Sequence, residues 1–101
     1  MVIISSLSFP PESAKEMAKI FLSPSLPKIP EFIARKGPYV NATVSDGVFM
    51  TALWELENAK LAEAMDFIGN YYATFFGVPG FKYEVKPFFH VEEALKMIGM
   101  G

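Results

Sequence analysis

The chain has 101 residues, 51% of them hydrophobic, with ten Phe, a single His, no Cys and a net charge of −2. Its nine basic and eleven acidic residues are spread along the chain, so there is no basic patch for nucleic acid or anionic lipid. The lack of cysteine excludes disulfides, thiolate chemistry, Fe–S clusters and cysteine-rich zinc sites.

A length of this order suits one domain with one core, and residues 1–101 are read as such. No run approaches the roughly 18 apolar residues of a membrane span, and Met1 to Leu7 lacks the basic leader of a signal peptide. A cytoplasmic setting is therefore expected. The apolar content is high for so small a chain, which leaves apolar surface over for a partner subunit or a ligand.

Val2 to Phe9 is β-branched and apolar, and Pro10-Pro11 stops it as a first strand and starts a helix. From there Ala14, Met17, Ala18, Phe21 and Leu22 recur at helical spacing, so the spacing predicts an amphipathic helix ending near Ser23-Pro24. Ser23 to Gly37 contains Pro24, Pro27 and Pro30 but also Ile29, Phe32 and Ile33. An ordered, packed loop with one helical turn is expected there.

Pro38 to Val44 and Val48 to Leu56 flank Ser45-Asp46-Gly47 and form a hairpin. A two-residue turn at Asp46-Gly47 would put Tyr39, Asn41 and Thr43 on the face of Met50, Ala52 and Trp54. A three-residue turn with a Gly bulge would instead gather Val40, Ala42, Val44, Val48, Met50, Ala52, Trp54 and Leu56 on one apolar face. The second register separates polar from apolar better. It also spares Asn41 and Thr43 a burial costing about 1–3 kcal/mol each without partners.

Asn58 is the expected N-cap of a long helix with Leu61, Met65, Ile68, Tyr72 and Phe75 in register, ended by Gly77. Phe81 to Lys86 alternates with its charges on one side, as an edge strand does, and Pro87 closes it. A short helix from Val91 to Ile98 follows. The order β-α-β-β-α-β is an α+β fold, a four-stranded antiparallel sheet with both helices on one face and a short C-terminal helix added. The other face is left open, and it carries Tyr39, Asn41, Thr43, Phe49, Thr51, Leu53 and Glu55, a mixture suited to a subunit interface with a cavity.

By element order and length over nearly the whole chain, the sequence resembles the dimeric α+β barrel superfamily of ferredoxin-like proteins. Ser8-Phe9-Pro10-Pro11-Glu12 at the entry to the first helix and Val85-Lys86-Pro87-Phe88-Phe89 at the end of strand four are part of the likeness. The resemblance implies a homodimer whose open sheet faces close a barrel. It spans small monooxygenases, haem-degrading enzymes, isomerases and ligand-sensing modules, so fold alone carries little function. Haem-degrading members use a His on the second helix, and Asn58 to Phe76 has none.

The candidate pocket residues are Tyr39, Asn41, Thr43, Thr51, Glu55 and His90. Asn41, Thr43 and Thr51 can orient a polar group, and Tyr39 with Glu55 would form an acid/base pair in a cavity that raises the carboxyl pKa. His90 is the sole imidazole, but with only Glu92 and Glu93 beside it no metal site is expected. Trp54 and the Tyr71-Tyr72 and Phe75-Phe76 pairs are read first as core. The sequence lacks a Cys-x-x-Cys metallochaperone motif, aromatic RNA-binding motifs and a glycine-rich phosphate loop. An acylphosphatase-like reading needs an Arg where Phe9-Pro10-Pro11-Glu12 stands, and the only arginine is Arg35.

No cofactor is expected. The sequence favours a homodimer binding a small, mostly apolar molecule, with cofactor-independent monooxygenase or isomerase chemistry on Tyr39, Asn41 and Glu55 if it is an enzyme. The alternative is a regulatory or protein-interaction module that uses Phe49, Leu53 and the Ile29-Phe32-Ile33 loop.

Overall fold

The structure, a computed structural model, describes residues 1–101. Its elements run β1 (Val2–Phe9), α1 (Ala14–Phe21), β2 (Ala34–Thr43), β3 (Gly47–Glu55), α2 (Leu61–Ala73), β4 (Lys82–Phe88) and α3 (Val91–Met97). One-turn 3-10 segments, Pro11–Ser13 and Asn58–Lys60, lead into α1 and α2. The sheet is antiparallel in the order β2-β3-β1-β4, the ferredoxin-like arrangement, with α3 as an addition.

β1 lies between β3 and β4 and pairs with both along nearly its whole length. That central place explains its β-branched, apolar sequence. Its alternate residues Ile3, Ser5, Leu7 and Phe9 are buried on the helix side beside Ala52 and Trp54 of β3. β4 is an edge, with Lys82, Glu84 and Lys86 exposed and Pro87 accommodated where no further strand needs an N–H. It continues to Phe88, past the Pro87 at which the sequence reading closed it.

The hairpin pairs Thr43 with Gly47 around the turn Val44–Asp46. The turn residues differ from the expected Ser45-Asp46-Gly47 by one position, but the faces are those of the three-residue register. Val40, Ala42, Val48 and Met50 share the helix side, whereas Tyr39, Asn41 and Thr43 share the other. Gly47 takes φ +71, and a Cβ on it would come within 2.7 Å of the Phe9 carbonyl oxygen, so the turn requires glycine.

Four expectations fail locally. β2 begins at Ala34 and not at Pro38. The segment before it forms turns and no helical turn, although Ile33 is buried and Leu26, Ile29 and Phe32 pack on the core as expected. Asn58 caps nothing: its carboxamide donates to Glu93 at 2.7 Å and accepts from the Met1 amino group at 2.8 Å, tying α3 to the start of α2. Finally, the apolar helix-side face is only half covered, because α1 spans eight residues. Ala52 and Trp54 are buried, while Val40 and Ala42 stand in solvent.

The result is an extended molecule, 49 × 31 × 17 Å, with a radius of gyration of 15.3 Å against about 13 Å for a compact chain of this length. The hairpin tip and α3 project from a core centred on Ile3, Trp54, Ile68 and Phe75.

Candidate functional site

α1 carries an unbroken apolar stripe yet puts only Met17 fully out of solvent. The remainder of the stripe looks onto a cavity of about 290 Å³ between α1, α2 and the helix side of β3, near the lower limit of about 300 Å³ for small-molecule pockets. Met17 and Phe21 form one wall, Ala52 and Trp54 the floor, and Tyr71 and Phe75 of α2 the far side. Thirteen of its sixteen lining residues are hydrophobic, and the one charged group is Arg35.

Arg35 owes its place to a bulge. Arg35 lies opposite Trp54 and Tyr39 opposite Thr51, so the ladder slips by one residue between Lys36 and Tyr39. With strict alternation, residues 35 and 39 would share a face. The extra residue turns Arg35 to the helix side and leaves Tyr39 on the open one. Gly37, with φ +93, and Pro38 make the irregularity on an edge strand, where both are tolerated.

The guanidinium donates to Tyr71 Oη at 3.2 Å, and its carbon lies 5.6 Å from the Trp54 ring centroid, within cation–π reach. No carboxylate lies within 4 Å of it; the neighbouring Glu55 is engaged by Lys36 at 3.0 Å. Beneath the floor, Trp54 Nε1 donates to Ser5 Oγ at 2.9 Å, and Ser5 Oγ is hydrogen-bonded to Tyr72 Oη at 2.7 Å. This chain of three buried groups fixes the indole plane. Burial pushes the Tyr72 phenol above its ordinary value.

The sequence matches no protein-family model and no curated protein.

The candidates named from sequence are distributed differently from the cavity. Only Thr51 borders it, and its hydroxyl is turned away, donating to the Ser5 carbonyl at 3.1 Å. Tyr39 and Asn41 are exposed on the open face of β2, and Thr43 uses its hydroxyl to accept from the Asp46 N–H of the hairpin turn at 2.9 Å. Tyr39 and Glu55 do not meet: Tyr39 lies opposite Thr51, and Thr51 and Glu55 are four residues apart along β3, about 13 Å at strand rise. Lys36, by hydrogen bond and charge, holds the Glu55 carboxyl below its ordinary value, opposite to the raised pKa of the acid/base reading. His90 is exposed at the start of α3, where its backbone N–H donates to Glu93 at 3.0 Å. No three His, Asp or Glu side chains converge in a metal-binding group.

Arg35 is the functional candidate that the sequence reading passed over. Its signal was present in Gly37-Pro38, a pair that breaks strand alternation and so re-aims whatever precedes it.

Proposed function

We propose that the protein binds a small, mostly apolar molecule in the cavity between α1, α2 and β3. The observation that carries this is the uncovered apolar stripe of α1, which faces a space walled by rigid aromatic rings. Collapse of α1 onto the sheet would remove that space, and the rings of Trp54, Tyr71 and Phe75, packed edge-on and tilted at 5.7–6.1 Å, hold the opposite wall in place. The site is suited to binding: its polar side chains are Arg35, Tyr71, Tyr72, Thr51 and the indole N–H of Trp54, with no carboxylate or imidazole among the lining residues to take a proton.

Trp54, the sole tryptophan, reports on the cavity directly. Titration with straight-chain alcohols of increasing length is expected to change its emission with saturation. Each buried methylene is worth about 0.8 kcal/mol, or roughly a fourfold gain in affinity, until the space is full. Ala18→Phe, at the exposed rim, should block the effect without unfolding the chain. Emission that no alcohol alters would remove the reading.

A second reading, that two copies pair through the open sheet face into a dimeric α+β barrel, is favoured by surface area. The chain exposes 6544 Å², against about 5,700 Å² for a monomer of its mass. The excess is close to the roughly 800 Å² that one partner contributes to a standard interface. The open face has Ile4, Phe49 and Leu53 at its centre with the Ser6 and Thr51 hydroxyls, and ion pairs Lys36–Glu55 and Lys86–Glu84 at its edges. An apolar middle within a charged rim is the usual anatomy of an interface. Sedimentation equilibrium should give a dimer that Leu53→Asp dissociates; a wild-type monomer at all concentrations would end this reading and return the face to the protein-interaction alternative.

A further inference from the structure

We propose that the cavity is built for an amphipathic anion, a compact aliphatic or aromatic carboxylate, whose head lies against Arg35 and Tyr71 Oη while its apolar body fills the space over Trp54. The inference rests on reading the cavity as a small-molecule site and adds the chemistry of its polar end.

The argument is an imbalance of donors and acceptors. A guanidinium has five N–H donors, and the side-chain bond to Tyr71 uses one of them. Because the Tyr71 oxygen accepts there, its own O–H is left to donate to something else. The other hydrogen-bonding groups nearby are already committed: Trp54 Nε1 to Ser5, Ser5 to Tyr72, and the Thr51 hydroxyl to the Ser5 carbonyl. Glu55, the nearest acidic residue along the sheet, is turned to the open face with Lys36. The lining of the cavity thus presents a half-buried cation and a phenolic donor with no protein acceptor or counter-charge between them. The bulge at Gly37-Pro38 brings that cation to the helix side, and without it Arg35 would face away from the cavity. A planar, forked donor set suits a carboxylate better than a point charge would, and the apolar walls require the remainder of the molecule to be hydrocarbon.

The test compares three probes with the same eight-carbon body, octanoate, octanol and octylamine, by titration of Trp54 emission at neutral pH. Wild type is expected to bind octanoate about tenfold or more tightly than octanol, and octylamine least. Arg35→Met should bring octanoate and octanol to parity while octanol still binds, which shows that the cavity is intact. Arg35→Lys should recover part of the preference, and Tyr71→Phe should lose part of it. Equal binding of octanoate and octanol by wild type, or a preference that persists in Arg35→Met, would overturn the anion site and leave the cavity reading standing. Failure of all three probes to bind would overturn both.

Discussion

Replacing Ser5 by Ala tests the floor of the cavity most sharply. Ser5 is fully buried and its hydroxyl joins Trp54 Nε1 to Tyr72 Oη, groups that are themselves 0% and 4% exposed by residue. Without it, an indole N–H and a phenol are left in the core with neither partner nor water. Each such orphan costs about 1–3 kcal/mol, and the gain from no longer desolvating the serine hydroxyl offsets part of the sum. The expected loss is about 2–4 kcal/mol, a large share of the roughly 5–15 kcal/mol that holds a domain together. At about 4–8 °C per kcal/mol for a chain of this size, the melting temperature should fall by at least about 8 °C.

Urea unfolding followed by Trp54 emission gives the number directly. Tyr72→Phe removes only the far end of the chain and leaves Ser5 bonded to the indole, so it should cost about 1 kcal/mol. The double variant should cost less than the two singles together, because both act on one network. A Ser5→Ala protein within about 0.5 kcal/mol of wild type would refute the claim that these hydrogen bonds set the indole.

Gly37→Ala should destabilise by about 1–3 kcal/mol, since φ is +93 and the added Cβ would lie 3.0 Å from the Tyr39 nitrogen and 3.1 Å from the Thr51 oxygen; the same variant should weaken octanoate binding more than octanol binding, and unchanged selectivity would separate Arg35 from the bulge. Acid should release α3 before the sheet. The Glu93 carboxyl is held at about 2, below the ordinary 4.5, by the Asn58 amide, the His90 N–H and the Met1 amino group. A depressed folded-state value means that its contribution is whole above pH 4.5 and is lost as pH falls towards 2. NMR shifts of the 91–97 amides should titrate with that low midpoint, and a midpoint near the ordinary carboxyl value would refute the tether. Alkali should act in the reverse sense through Tyr72. Its raised phenol value stabilises the fold below the ordinary 10.0, and that contribution is lost as pH rises beyond it. Urea midpoints for wild type should fall with rising pH in this range more steeply than those of Tyr72→Phe.

Much of this fold can be read from residue pattern. β1 is legible to the residue because a β-branched run ends at two prolines, and α3 and α2 follow from their spacing. The sides of the hairpin follow from the cost of burying Asn41 and Thr43. What pattern does not carry is the distance between layers. The α1 stripe of Ala14, Met17, Ala18 and Phe21 is the same string whether it meets a packed core or a cavity, so pattern does not show the space that the structure has beside the buried Trp54 and Tyr71. Nor does alternation survive Gly37-Pro38: pattern alone starts the strand at Pro38 and puts Arg35 in the loop before it, whereas β2 begins at Ala34. The sheet candidates Tyr39, Asn41, Thr43, Thr51 and Glu55 thus lie on the open face as the pattern predicts, only Thr51 among them borders the cavity, and His90 stands apart at the start of α3.

β3 is one strand with two audiences. Met50, Ala52 and Trp54 look into the cavity while Phe49, Thr51 and Leu53, interleaved between them, look out from the open face. A backbone only one residue thick separates the two, so a small molecule bound in the cavity that shifted or stiffened β3 would alter the surface offered on the other side. If occupancy of the cavity strengthens pairing of two copies by some factor, pairing must strengthen occupancy by that same factor. Ligand affinity would then depend on protein concentration, and the association of the chain would become a measure of how much of its ligand is present.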